Sequence, residues 1–153
     1  MSQRINHFAI APDLLQPMIQ QEELLKDSGL EYSLIELVKL RASQINGCAF
    51  CIHMHTHDAR AHGETEDRMH LLNAWRESSL YNDRERAALA WTEALTHVST
   101  QGAPDADYAT VALHFSPREQ VALTLLISAI NSWNRIAIGF QTPHPVSQEM
   151  ETA

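Results

Sequence analysis

The sequence predicts an all-α bundle. No stretch alternates apolar and polar residues at period two, apolar residues recur at three- and four-residue spacing, and helix-start signals punctuate the chain. A first helix opens at Pro12, whose fixed φ suits a first turn, and runs to about Ser28, where Gly29 stops it. Ser33-Leu34-Ile35-Glu36 has the form of a capping box, a hydroxyl followed three residues later by a carboxylate. The helix it opens sets Leu34, Leu37, Val38 and Ile45 on one side and ends at Gly47. A third helix begins near Cys48 and stops at Gly63, and a shorter one holds Met69, Leu71, Leu72 and Trp75. Asp83 precedes a helix containing Leu89, Trp91, Leu95 and Val98 that ends near Gly102, and Pro104 opens a modest stretch through Tyr108 and Val111. Ser116-Pro117-Arg118-Glu119 joins a hydroxyl cap, a first-turn proline and a capping glutamate, and the helix that follows reaches about Gly139. From Val121 to Ile130 this last helix is apolar nearly all round, which a surface helix of a small monomer does not justify. Either it threads the middle of the bundle or another subunit covers part of it, so a homo-oligomer is expected.

The 153 residues fit one domain, 1–153, with no repeat, low-complexity tract or long linker. A chain of this length can bury about 70% of its unfolded surface, so its core needs no disulfide staples. Eleven Lys plus Arg against nineteen Asp plus Glu leave a net charge of -8, the opposite of the basic face of a nucleic-acid binder or peripheral membrane protein. The opening MSQRINHFAI lacks the apolar core and cleavage site of a signal peptide. The longest apolar stretch, Val121 to Ile130, is interrupted by Thr124 and Ser128 and is too short to span a bilayer. A cytoplasmic protein is expected. In that reducing compartment the only two cysteines, Cys48 and Cys51, point to redox or metal chemistry rather than to a structural staple.

Helical geometry advances about 100° per residue. With Cys48 at the origin, Cys51 and His55 fall on the same face, and His55 follows Cys51 by the four residues at which helical side chains meet. A Cys-x-x-Cys at a helix start also has its thiols beside unpaired N–H groups and the positive end of the dipole, which favours a thiolate. The imidazole can take the proton of Cys51 or stabilise the charge left behind, so the reading needs an ionised and accessible Cys51 sulfur. If the chain reverses at Gly47, Glu36 lies roughly 16 Å before the turn and His55 roughly 12 Å after it, close enough to meet. Glu36 then has two candidate roles, orienting acid for His55 or cap of its own helix.

Glu36, eleven intervening residues, then Cys-x-x-Cys-x-x-x-His resembles the AhpD-like alkylhydroperoxidase branch of the carboxymuconolactone decarboxylase family, most strongly over Leu34 to Gly63. Asn131-Ser132-Trp133-Asn134-Arg135 looks like the closing helix of that family. The resemblance implies a helical subunit assembled as trimers or hexamers that reduces hydroperoxides, with no bound cofactor. It implies Cys51 as the peroxidatic thiol that becomes a sulfenic acid, and Cys48 as the resolving thiol that closes a Cys48–Cys51 disulfide. A thioredoxin-like or dihydrolipoyl reductant would reopen it, and His55 with Glu36 would relay the proton. Founding members place a second histidine immediately before the second cysteine, where this chain has Phe50, and nothing in the sequence assigns its role to His53. The decarboxylase branch of the resembled family does not rely on such a cysteine pair, so the resemblance ranks lactone decarboxylation as an alternative below peroxide reduction.

A rival reading is a zinc or other metal site, since Cys48 and Cys51 with His53, His55 and His57 crowd five donors into ten residues. The helical wheel sends His53 and His57 to the far side and leaves Cys48, Cys51 and His55 for one ion. His62, beside Gly63, reads as a partner for the helix C-terminus. A third class is a helical assembly with a redox-inert cysteine pair, which would survive blocking of the thiols.

Overall fold

A computed structural model describes residues 2–145. Its elements in chain order are α1 (His7–Ile10), α2 (Pro12–Lys26), α3 (Tyr32–Asn46), α4 (Ala49–Ala61), α5 (Glu66–His70), a 3₁₀ turn (Leu72–Ala74), α6 (Asp83–Thr96), α7 (Val98–Gln101), α8 (Asp105–His114) and α9 (Pro117–Phe140). Among the described residues there is no strand, as the sequence predicts.

The axis of the bundle is α3. Seven consecutive residues, Leu34 to Leu40, are buried, because α4, α6 and α9 all pack against this helix. Leu34, Ile35 and Val38 join Trp91 of α6 and Leu123 and Ile127 of α9 in one cluster. Leu37 and Leu40 join Ala59 of α4, Leu72, Trp75 and Leu89 in another. Each such leucine contributes about 1.5–3 kcal/mol by leaving water. The one-sided apolar face expected for this helix is therefore too narrow, and the polar Glu36 and Lys39 are buried with it.

The last helix takes a less central place than its composition suggests. Leu123, Leu126, Ile127 and Ile130 of α9 lie in the core, whereas Val121, Leu125 and Ile138 are exposed. Its 24 residues are long and apolar enough to cross a membrane, contrary to the bound drawn from Val121–Ile130 alone. What marks α9 as a core helix is its packing on α2, α3 and α6, not a shortage of length.

Local signals explain most helix starts. Pro12 occupies the first turn of α2, and Ser116 and Glu119 form the expected box, with Ser116 N–H donating to Glu119 Oε2 at 2.7 Å. The expected box at Ser33 does not form. There α3 begins two residues earlier, after Glu31 rather than Ser33, with no side-chain cap, and Glu36 is drawn into the interior instead. Two helices are also shorter than expected: α6 stops at Thr96, with α7 following a bend at His97, and the Met69–Trp75 stretch divides into α5 and the 3₁₀ turn.

Gly47 ends α3 at φ 69°, the left-handed region, so that the N–H groups of Gly47 and Cys48 return to the carbonyls of Gln44 and Ser43. This turn folds α4 back along α3. A Cβ at Gly47 would meet nothing within 4 Å, so substitution strains the backbone alone. Gly47→Ala is expected to cost about 1–2 kcal/mol in denaturant unfolding; an unchanged midpoint would show that the turn does not need the left-handed residue.

Candidate active site

Cys48 is the N-cap of α4, with extended backbone and its Sγ accepting the N–H of Cys51 at 3.4 Å. An anion is favoured at such a position because the first N–H groups of a helix lack intrahelical partners. Both cysteines are free, and each is only 1% exposed. The Cys51 thiol donates to Cys48, and this bond, with the backbone N–H groups of Cys51 and Phe50 and the amide of Asn134, brings the Cys48 thiol down to about 7 against the opposing effect of burial. Donating that proton, together with burial, pushes the Cys51 thiol up. The surroundings therefore favour ionisation at Cys48 over Cys51, whereas the sequence reading looks for the charge on Cys51. The wheel argument treats Cys48 as helical; its non-helical cap conformation is what turns its sulfur over the helix start.

Asn134 of α9 backs this pair. Fully buried, it donates from Nδ2 to Ser43 Oγ at 3.0 Å and accepts from Asn46 Nδ2 at 2.8 Å, fastening α9 to the end of α3. Phe50, where the family resemblance calls for a histidine, is half-buried and packs against Cys48, Cys51 and Ala137.

The structure brings Glu36 and His55 together. Glu36 Oε2 accepts from His55 Nδ1 at 2.9 Å, with the two side chains 5% and 6% exposed. Of the two roles open to Glu36, contact with His55 is the one realised. With Nδ1 bonded to the carboxylate, Nε2 is left to accept a proton. Tyr32, on the first turn of α3, has its phenol pushed up to about 12 by burial and the carboxylates of Glu36 and Asp58. His53 and His57 are exposed, as the wheel places them, and His62 Nδ1 donates to the Asp58 carbonyl at 2.8 Å at the end of α4. The metal-type donors that converge are Glu36, His55 and Asp58, whose ligand atoms lie within 4.8 Å of one another. Neither cysteine belongs to that group, so the ligand set Cys48, Cys51 and His55 is not assembled.

Cys51, His55 and Glu36 line one cavity of about 390 Å³, and Cys48 does not. Its apolar walls include Phe50, Met54, Trp133 and Ile136, and His7 and Phe8 of α1 complete the lining. Arg4 fastens that N-terminal segment, its N–H donating to Phe140 O at 3.0 Å and its guanidinium to Gly139 O at 2.9 Å. A separate hollow of about 510 Å³ between α2 and α9 holds neither cysteine nor histidine. Sequence reasoning passes over Tyr32, Asp58 and Lys39 as site residues. The first two carry a usable signal, lying four residues before Glu36 and three after His55 on their helices.

A model of the carboxymuconolactone decarboxylase family matches residues 12–94. The chain belongs to the carboxymuconolactone decarboxylase family. It is similar to the uncharacterized protein YdfG of Bacillus subtilis, 46% identical over 90% of this chain and 94% of YdfG. Its fold is AhpD-like. A protein of unknown function from Agrobacterium tumefaciens, named as a candidate antioxidant defence protein AhpD, superposes with TM-score 0.92 at 45% identity, covering 95% of this chain and 100% of that one. The debrominase Bmp8 shares the fold at TM-score 0.82 and 18% identity, over 91% of this chain and 75% of Bmp8. This fold is thus shared by proteins of more than one description.

The two thiols give stability a defined pH dependence. The folded pair loses its first proton at about 7, against an ordinary 9.0, so between those values the unfolded chain holds the extra proton and stability rises with pH. Above 9.0 the unfolded chain ionises both thiols while the folded chain retains the raised proton of Cys51, and stability falls again. Denaturant unfolding of the reduced protein should show this rise and fall, and Cys48→Ser should flatten the rise. A rise that survives Cys48→Ser and disappears in Cys51→Ser would put the resting charge on the other sulfur.

Proposed function

We propose that this family member is a cytoplasmic, thiol-dependent hydroperoxide reductase working through Cys51, Cys48, His55 and Glu36. The observation that carries the reading is that Cys51 shares a cavity with the Glu36–His55 pair while Cys48 lies behind it at the start of α4. The pair holds one proton between two sulfurs. Moving that proton from Cys51 to Cys48 transfers the charge to the cysteine that lines the cavity, where substrate arrives.

The Cys51 thiolate attacks the distal peroxide oxygen, the O–O bond breaks, and the alkoxide leaves as an alcohol after taking a proton relayed through His55. The product on Cys51 is a sulfenic acid. Attack by Cys48 then forms the disulfide, with the sulfenic oxygen leaving as water. A dithiol of the thioredoxin or dihydrolipoyl class returns two electrons and two protons, leaving its own disulfide. Glu36 holds the His55 ring in the tautomer that leaves Nε2 open, and with Phe50 preceding Cys51, His55 is the α4 imidazole that shares the cavity with Cys51. The exposed Val121 and Leu125 on α9 support assembly into a homo-oligomer, a trimer or hexamer.

Cys51→Ser should abolish hydroperoxide consumption. Cys48→Ser should stop after one turnover, with a trappable sulfenic acid and no internal disulfide. Retention of full activity in Cys51→Ser overturns the nucleophile, and a reduced protein that neither consumes organic hydroperoxide nor loses two thiols overturns the function. His55→Asn should slow the peroxide step by roughly 10²–10⁴-fold, the usual reach of a positioned acid–base group, as read by single-turnover thiol loss.

A further inference from the structure

Among the described residues, five buried side-chain polar atoms lack a hydrogen-bond partner: His7 Nδ1, Glu22 Oε1, Ser28 Oγ, Trp133 Nε1 and Thr142 Oγ1. Four of them, all but that of Ser28, belong to residues that line the cavity holding Cys51 and His55. Folded proteins leave few buried polar atoms unpaired. Their concentration from four parts of the chain around one cavity marks bonding capacity that a ligand can use. His7 is itself 7% exposed.

The chemistry of these atoms restricts that ligand. An indole N–H only donates, so Trp133 requires an acceptor. Glu22 already accepts from Lys39 Nζ at 2.5 Å through Oε2, and its remaining carboxylate oxygen requires a donor. A neutral hydroxyl or primary amide offers both functions. A carboxylate offers only acceptors and would enter a cavity already carrying Glu22, Glu36 and Asp58 against Lys26 and Lys39.

The walls restrict the rest of the molecule. The rings of Phe8 and Trp133 are stacked at 6.3 Å between centroids with an 18° tilt, and His7 stacks on Phe140 at 5.1 Å. Flat walls of this kind favour a planar ring. A cavity of about 150 Å³ suffices for benzene, so about 390 Å³ accommodates a substituted one.

We propose that the cavity takes an aromatic hydroperoxide bearing a neutral hydroxyl or amide group, which bonds to Trp133 Nε1 and Glu22 Oε1 while the peroxide meets Cys51. The proposal rests on the peroxide-reductase reading and follows its electron balance: Cys51 takes the distal oxygen and the ring departs as its alcohol.

The test is calorimetric binding of three such alcohols to full-length reduced Cys51→Ser protein, in which thiol turnover plays no part. 4-Hydroxybenzyl alcohol should bind about ten-fold tighter than benzyl alcohol or 4-carboxybenzyl alcohol, the discrimination of a site whose polar atoms need partners. Trp133→Phe, which keeps a flat wall and removes the donor, should erase most of that preference. Independently of any variant at Trp133, the Trp133 indole N–H resonance should move downfield with 4-hydroxybenzyl alcohol and not with benzyl alcohol. Equal affinities, or an unmoved indole resonance, overturn the proposal. Hydroperoxide turnover by the unsubstituted protein without the binding preference removes this ligand class and leaves the reductase reading; the preference without turnover removes the hydroperoxide and refutes both.

Discussion

A buried hydrogen bond between Glu36 and His55 governs how the two central helices meet. The residues are nineteen apart in sequence, and their contact requires that the chain reverse at Gly47 and that α4 present one particular face to α3. Both polar groups are shut away from water, where an unpaired carboxylate or imidazole is costly, so the pair locks the rotation of α4 as well as its position. That rotation decides the rest. It puts Cys51, one turn before His55, on the cavity side, sends His53 and His57 to the surface, and leaves Cys48 to close the helix start. It also draws Glu36 away from the cap that its sequence context offers, and α3 begins without one.

Much of this arrangement is legible from residue spacing. Pro12, the Ser116–Glu119 box and Gly47 act within a few residues of themselves, so their structural meaning is local and is read correctly. The rise per residue suffices to bring Glu36 opposite His55. The Ser33–Glu36 pattern fails because a capping box competes with any better partner for its glutamate, and the imidazole that wins is supplied by another helix. The distribution of charge between the thiols is beyond the reach of a helical wheel. It depends on the extended backbone of Cys48, on a proton shared with Cys51, and on Asn134 arriving from the far end of the chain.

The same distinction separates the core from its expected pattern. Leu34 to Leu40 look amphipathic when α3 is considered alone, yet all seven are buried because three helices surround them. The composition of α9 suggests a helix covered on every side, while Val121 and Leu125 remain exposed. The cavity is least legible of all, since His7, Glu22, Trp133 and Thr142 lie on separate stretches of the chain with no spacing to relate them.

In the proposed cycle, the use of Cys48 as the cap of α4 would couple electron transfer to the integrity of a helix. A reduced, ionised sulfur there interacts with the helix dipole to the extent of about 0.3–1 kcal/mol, rising to about 2 in partly buried settings. Once bonded to Cys51 it carries no charge, and this contribution disappears. Because 30 mV corresponds to about 1.4 kcal/mol for a two-electron couple, a helix start of this kind would favour the dithiol form of the proposed couple and lift its midpoint potential. The architecture that frames the sulfur would thereby make the proposed disulfide easier to reduce.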